Sequence, residues 1–179
     1  MISTNFTFCT QTNESNSPEI TNANQIKPLY TNRVARFFSN QTWRDTLSVD
    51  VNGESIITGE VFLKITNYKG KLIYKTSFPT RELLNHEGLI IPDKDELEIK
   101  KRIDSFFAPT FFSQAVVVHN DSLSIPDSSI TIWKTIQADP TAIYFSYSVN
   151  KNTINRIVYS KILQKIVAIS GRKIETNGL

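Results

Sequence analysis

The sequence predicts an α+β fold, mostly antiparallel β, in which a sheet, sandwich or partly closed barrel carries one main helix at about residues 93–108. Three features predict it. The stretch VFLKITNYKGKLIYKTSFP, Val61 to Pro79, reads as two alternating strands folded back at Tyr68-Lys69-Gly70. One segment, IPDKDELEIKKRIDSFFAP, repeats apolar residues at helical spacing. The C-terminal part is dense in Ile and Val between polar turns, which favours strands.

Met1 to Pro28 is written in Asn, Thr, Ser, Glu and Gln and buries too little surface to offset its ordering entropy. Residues 1–28 are therefore expected to form a disordered tail or tether, and 29–179 a single β-rich domain. In TNRVARFF, Thr31 or Asn32 reads as a helix cap before a short apolar face of Val34, Phe37 and Phe38. Leu47, Val49 and Val51 then alternate with polar residues up to a turn at Asn52-Gly53, and Gly59 marks a bulge or a strand end. In the hairpin, a left-handed Gly70 closes a three-residue loop, so that Ile65 faces Ile73 and Thr66 faces Leu72. Both faces carry apolar side chains, and a two-stranded hairpin needs cover from other elements.

The main helix is expected to be capped by Asp93, with Glu96 reaching back in a capping box. Ile99, Ile103, Phe106 and Phe107 form its apolar stripe, and Pro109 stops it. Lys100, Lys101 and Arg102 lie off that stripe as a solvated basic face. AVVVH, SITIWKTIQ, AIYFSYSVN and TINRIVYSKILQKIVAIS read as further strands, with a turn at Asn150-Lys151-Asn152 and a break at Leu163 to Lys165.

Composition bounds the function. Hydrophobic residues make up 40% and charged residues 21%, as in ordinary globular chains. A net charge of +3 is too mild to imply nucleic acid or an anionic membrane unless the charges cluster, so nucleic acid is not the expected partner. Lys64, Lys69, Lys71 and Lys75 gather around the hairpin with Tyr68 and Tyr74, which would suit a single strand of nucleic acid, although lysines also keep exposed sheets soluble. No apolar run reaches the ~20 residues of a membrane span. Cys9 is the only cysteine, which excludes an internal disulfide and a cysteine-built zinc site. Asn-x-Ser/Thr triplets at Asn5, Asn13, Asn40 and Asn120 are what so Asn- and Thr-rich a chain produces by chance.

Candidate chemistry is sparse. His86 sits in a turn beside Glu87, and His119 stands at a strand end before Asp121 and Ser122. A small hydrolase using His119 and Asp121 is the alternative reading to a non-enzymatic one. The two histidines offer no metal-ligand spacing, so no metal, cofactor or catalytic residue is assigned. Asp93, Asp95, Glu96 and Glu98 look like a carboxylate cluster, but the first three suit the positive end of the helix. The six glycines are scattered and build no phosphate loop. Trp43 and Trp133 remain as aromatics for a ligand, with Trp133 on a strand face and partly open. Ligand contact is expected at Trp133, Tyr68 and Tyr74, with packing as the commoner fate of such rings.

The pattern DTLSVDVNGE…GEVFLKITNYKGKLIYKTSFPTREL, from Asp45 onwards, with its helix and C-terminal strands to about Ser170, resembles small cell-envelope lipoproteins of Bacteroidetes. The resemblance implies no catalytic residues and a location at the cell envelope or periplasm. Cys9 followed by TQTNESNSPEITN looks like a lipidated cysteine and its tether, whereas Phe6-Thr7-Phe8 departs from the small residues expected before such a cysteine. Either the signal lies upstream of Met1, or Cys9 is an ordinary thiol in a cytoplasmic protein. The expected function is a non-enzymatic β-rich envelope domain binding a protein or small ligand. Truncation at Pro28 should leave the melting temperature nearly unchanged. A large drop would show instead that the N-terminal segment docks as a strand.

Overall fold

The computed structural model describes residues 27–86, 88–114, 130–150 and 153–173. Among them, eight strands form two four-stranded antiparallel sheets, and neither closes into a barrel. The first sheet is β1 (Tyr30–Arg36), β2 (Asp45–Asn52), β3 (Glu60–Thr66) and β4 (Leu72–Pro79), in that order. A short 3-10 turn at Thr80–Leu83 leads to helix α1 (Pro92–Ser105). The second sheet is β5 (Phe112–Gln114), β6 (Ile143–Asn150), β7 (Thr153–Ser160) and β8 (Lys165–Lys173), with helix α2 (Ile130–Gln137) preceding β6. The expected α+β class, mostly antiparallel β with one main helix, is what forms.

The alternation in β2 and β3 builds the inner face of the first sheet. Leu47, Val49 and Val51 stand opposite Ile65, Leu63 and Val61, and all of these are fully buried. Residues from both sheets and from α1 enter one apolar core, including Phe78, Ile99, Ile103, Phe145 and Ile157. The outer face of the second sheet has a smaller core of its own, where Tyr144 and Val158 lie under Trp133 and Ile136 of α2. The molecule is thus layered: first sheet and α1, shared core, second sheet, α2.

Three expectations need correction. The segment after Thr31 is strand β1, not a capped helix. It pairs along its length with β2 and fastens to the end of α1: Asn32 Nδ2 donates to the Ile103 and Asp104 carbonyls, and Tyr30 Oη to Asp104. Tertiary pairing overrides a local cap signal here. Conversely, ITIWKTIQ is helix α2, not a strand. Its β-branched residues suggest strand, but Ile132, Trp133 and Ile136 share one helical side, which packs on the second sheet. The main helix runs Pro92–Ser105, with Ile91 as its cap and Pro92 at the first position. Asp95, not Glu96, reaches back to the Ile91 N–H, while Glu96 pairs with Lys100 at 2.6 Å.

Other readings hold in place. Ile99, Ile103, Phe106 and Phe107 are all buried. The last long segment breaks at Lys161–Gln164, between β7 and β8. AVVVH, His119, Asp121 and Ser122 lie outside the described residues, as do Cys9 and Lys151-Asn152.

The hairpin loop closes as expected, with one change of register. The Gly70 N–H donates to the Asn67 carbonyl and the Asn67 N–H to the Lys71 carbonyl, both at 2.8 Å. Thr66 faces Leu72, but Ile65 faces Tyr74 rather than Ile73, because the register shifts between Ile65 and Thr66. Gly70 is left-handed, at φ +80°, and a Cβ there would meet no atom within 4 Å. Substitution therefore carries a conformational penalty alone. Gly70→Val should destabilise the domain by about 1–2 kcal/mol, whereas Lys69→Ala and Lys71→Ala should leave its denaturation midpoint almost unmoved. A Gly70→Val protein that melts with the parent would show that the left-handed turn is not needed.

Candidate functional site

Two groups of side chains stand out from the scaffold, each organised by a buried carboxylate. The first is at the start of β2. Asp45 is fully buried and accepts hydrogen bonds from the Ser39 N–H, from Ser39 Oγ at 3.0 Å and from the Tyr68 N–H at 3.1 Å. A buried carboxylate is stable only when donors satisfy it, and these donors come from two different loops. Asp45 thereby ties the segment between β1 and β2 to the tip of the β3–β4 hairpin. Within that segment Asn40 Oδ1 accepts from the Thr42 and Trp43 N–H groups at 2.7 and 3.0 Å, which curls the chain and turns Trp43 outward.

The result is a pair of aromatic rings in solvent. Trp43 stacks on Tyr68 with centroids 6.3 Å apart and planes 16° from parallel, yet Trp43 is 59% and Tyr68 42% exposed. Lys69 lies over the Tyr68 ring at 5.5 Å, and Arg44 lies over the exposed Phe37 at 5.1 Å. Two cation–aromatic contacts therefore accompany the stacked pair.

The other aromatics picked from the sequence are engaged within the fold. Trp133 is buried in α2 and stacks on Tyr144 at 5.6 Å. Tyr74 is half-buried on the core side of β4, and its hydroxyl shares a 2.8 Å hydrogen bond with that of Tyr147. Burial, and then Tyr74, push the Tyr147 hydroxyl far above its ordinary pKa. Lys64 pairs with Asp50 at 3.2 Å, and Lys64 and Lys75 both lie over Phe62. Tyr74 and these lysines thus belong to opposite faces of the sheet, and they do not merge into one surface for a nucleic-acid strand.

The second group joins the loop before α1 to its first turns. His86 Nε2 lies 2.9 Å from Asp95 Oδ1, and ligand atoms of His86, Asp95 and Glu98 all fall within 4.8 Å of one another. Asp95 is fully buried, His86 and Glu98 partly so. Asp95 Oδ2 accepts the Ile91 N–H at 2.9 Å, and Glu98 Oε1 the Asn85 N–H at 3.1 Å. Arg102 in turn bonds the Asn85 side chain. Thus His86 does have company, which its sequence neighbours did not reveal. Asp95 is nine residues away in sequence, and only the loop before Pro92 brings the two together.

A third feature is a cleft of about 280 Å³ between α2 and the end of β7, lined by Ile136, Ala142, Tyr159 and Lys161. Its charged groups satisfy each other: Lys161 pairs with Asp139 at 2.8 Å and also bonds Thr141. Among the described residues, no helix is long and apolar enough to cross a membrane.

The His86 hydrogen bond is the largest influence on Asp95 and lowers its carboxyl pKa; burial opposes this, and the Ile91 N–H adds to the lowering. The net shift is downward from the ordinary 3.8. A depressed carboxyl contributes stability that is fully present above its unfolded value and is lost as pH falls through the folded one. The contribution should accordingly fade as pH drops below about 4. Thermal melts of His86→Ala should fall less steeply across that acid window than those of the parent. Parallel slopes would show that the imidazole does not stabilise the carboxylate.

Comparison with protein-family models, curated proteins and solved structures finds no match, so the likeness to Bacteroidetes envelope lipoproteins rests on its sequence pattern alone.

Proposed function

We propose that this chain is a non-enzymatic binding domain of the cell envelope that grips a protein partner through the Trp43–Tyr68 platform. One observation carries the reading: two large aromatic rings are held parallel in solvent by a buried carboxylate that bridges their two loops. Solvent exposure of this much ring surface gives the fold nothing, and fixing it in advance lowers the ordering cost of binding. Trp, Tyr and Arg are also the residue types that dominate protein–protein hot spots. The charged groups lying over the neighbouring rings, Arg44 and Lys69, are cationic. The partner is accordingly a protein surface that offers an apolar side chain beside carboxylates. The envelope location is supported by Cys9 and the polar stretch after it.

The test is a photo-crosslinking amino acid at Thr42, in the cells that make the protein, with Leu97 on α1 as the control position. The Thr42 probe should give a discrete protein adduct that Trp43→Ala with Tyr68→Ala removes, and the Leu97 probe should not give it. Hot-spot truncation of this kind weakens binding by about 2 kcal/mol or more, roughly thirtyfold. Fractionation of the same cells should place the parent with membranes and Cys9→Ser in the soluble fraction. An adduct that survives the double substitution removes the platform from the function. So does purified protein that binds an oligothymidine or anionic vesicles through the same two rings. Parent protein in the soluble fraction removes the envelope.

A further inference from the structure

We infer that His86, Asp95 and Glu98 form a binding site for a divalent first-row transition ion, with zinc as the reference case. The site is separate from the aromatic platform and does not depend on it.

Three lines of geometry converge. Asp95 and Glu98 are three residues apart on α1 and so share a side of the helix. His86 comes from the loop packed over that side, and the three ligand atoms lie within 4.8 Å. Tetrahedral zinc, at roughly 2.0–2.1 Å from each nitrogen or oxygen, separates its ligand atoms by about 3.3 Å. His86 Nε2 and Asp95 Oδ1, at 2.9 Å, need to open by only a few tenths of an ångström, and Glu98 needs to swing inward.

The carboxylates are already oriented. Each has one oxygen held by a backbone N–H, Asp95 by that of Ile91 and Glu98 by that of Asn85. Asn85 is itself held by Arg102. Outer hydrogen bonds of this kind fix ligand direction and strengthen metal binding. Asp95 is fully buried and cannot turn away to water.

The donor set selects the ion. Two carboxylates and a neutral imidazole supply two negative charges, which a divalent cation neutralises. An imidazole favours zinc, nickel or copper, whereas calcium and magnesium prefer oxygen ligands throughout. Three protein ligands leave the remaining position to water, and the His86 side chain, 32% exposed, lies open to entering ions. In the ion's absence, the imidazole and Asp95 are joined by the hydrogen bond that a metal would replace.

The experiment uses the full chain, stripped with chelator and titrated with zinc chloride at neutral pH by calorimetry and by thermal melts. Saturable binding of one zinc per chain should raise the melting temperature, as any ligand of the native state does. His86→Ala and Glu98→Gln should each weaken binding at least tenfold while remaining folded. Cys9→Ser with His119→Ala should bind as the parent does, which excludes the chain's cysteine and its other histidine as the ligands. Millimolar magnesium should not displace the zinc. Absence of saturable binding below about 100 μM zinc, binding indifferent to His86→Ala and Glu98→Gln, or binding lost with Cys9 and His119 would each overturn the site.

Discussion

Phe106 stands where the parts of this molecule meet. It follows the last turn of α1, and its ring lies 6.4 Å from Phe78 of the first sheet, 5.4 Å from Phe107, 6.1 Å from Phe145 and 5.9 Å from Tyr147 of the second. A four-stranded sheet with one apolar face cannot leave that face in water, and each sheet here uses the other, together with α1, as cover. The aromatic cluster continues through Phe107 and Phe112, both packed on Phe145, so the chain returns to the core at β5 after the exposed turn Pro109–Phe111. Burying large aromatic side chains is worth a few kcal/mol apiece, and replacing Phe106 with a small residue would loosen both sheets at once. The Tyr74–Tyr147 hydroxyl pair closes the same seam with a polar link.

That arrangement decides where exposed groups can be displayed. Helix α1 is fixed to β1 near its C-terminal end by Tyr30, Asn32 and Arg36, whose side chains reach Asp104, the Ile103 and Asp104 carbonyls, and the Phe107 carbonyl. These donors also satisfy carbonyls that every helix end leaves over. With its C-terminal end bound to the sheet, the helix presents its first turns, Asp95 and Glu98, to the loop that carries His86. The hairpin tip of β3–β4, beyond the shared core, is free to carry Tyr68 into solvent. Both candidate sites therefore draw on loops at the margin of the core, positioned by the rigid elements beside them, as recognition groups on a scaffold generally are.

The legible parts of the sequence were those in which one periodicity ran unopposed. The stripe of Ile99, Ile103, Phe106 and Phe107 repeats at helical spacing, and Leu47, Val49 and Val51 at strand spacing, and both became fully committed core. Where residue preference and periodicity disagreed, the reading failed. Ile130–Gln137 is rich in β-branched residues but places Trp133 and Ile136 on one helical face. Tyr30–Arg36 begins with cap-forming residues but belongs to a ladder with Asp45–Val51, in which Tyr30 pairs with Val51 and Arg36 with Asp45. The candidate sites were less legible still. Nothing near Asp45 marks it as the acceptor for Tyr68, twenty-three residues away. His86 and Asp95 meet only because Pro92 sets the start of the helix and Asp95 folds back on Ile91. Long-range hydrogen bonding leaves no periodic trace.

Asp45 and Asp95 follow the same physical logic, and it bears on function more than on stability. Each is fully buried, each accepts from backbone N–H groups and loop side chains (Asp45 from Ser39 and Tyr68, Asp95 from Ile91 with His86 on its other oxygen), and each holds loop residues against a regular element. A carboxylate out of water is costly unless its hydrogen bonds are restored, and once they are, the net gain over an apolar residue of similar size is small. What the arrangement supplies is direction. The oxygens of Asp45 accept only if Ser39 and Tyr68 lie where they do, and that position puts the Trp43 and Tyr68 rings face to face. The oxygens of Asp95 accept only if Ile91 and His86 close on the helix, and that closure brings the imidazole beside Glu98. Hydrogen bonds to a buried charge lose strength steeply with distance and angle, so they set loop geometry more sharply than apolar contact does. Among the described residues, these two places where a carboxylate is buried under loop amides are also places that present groups able to bind something else.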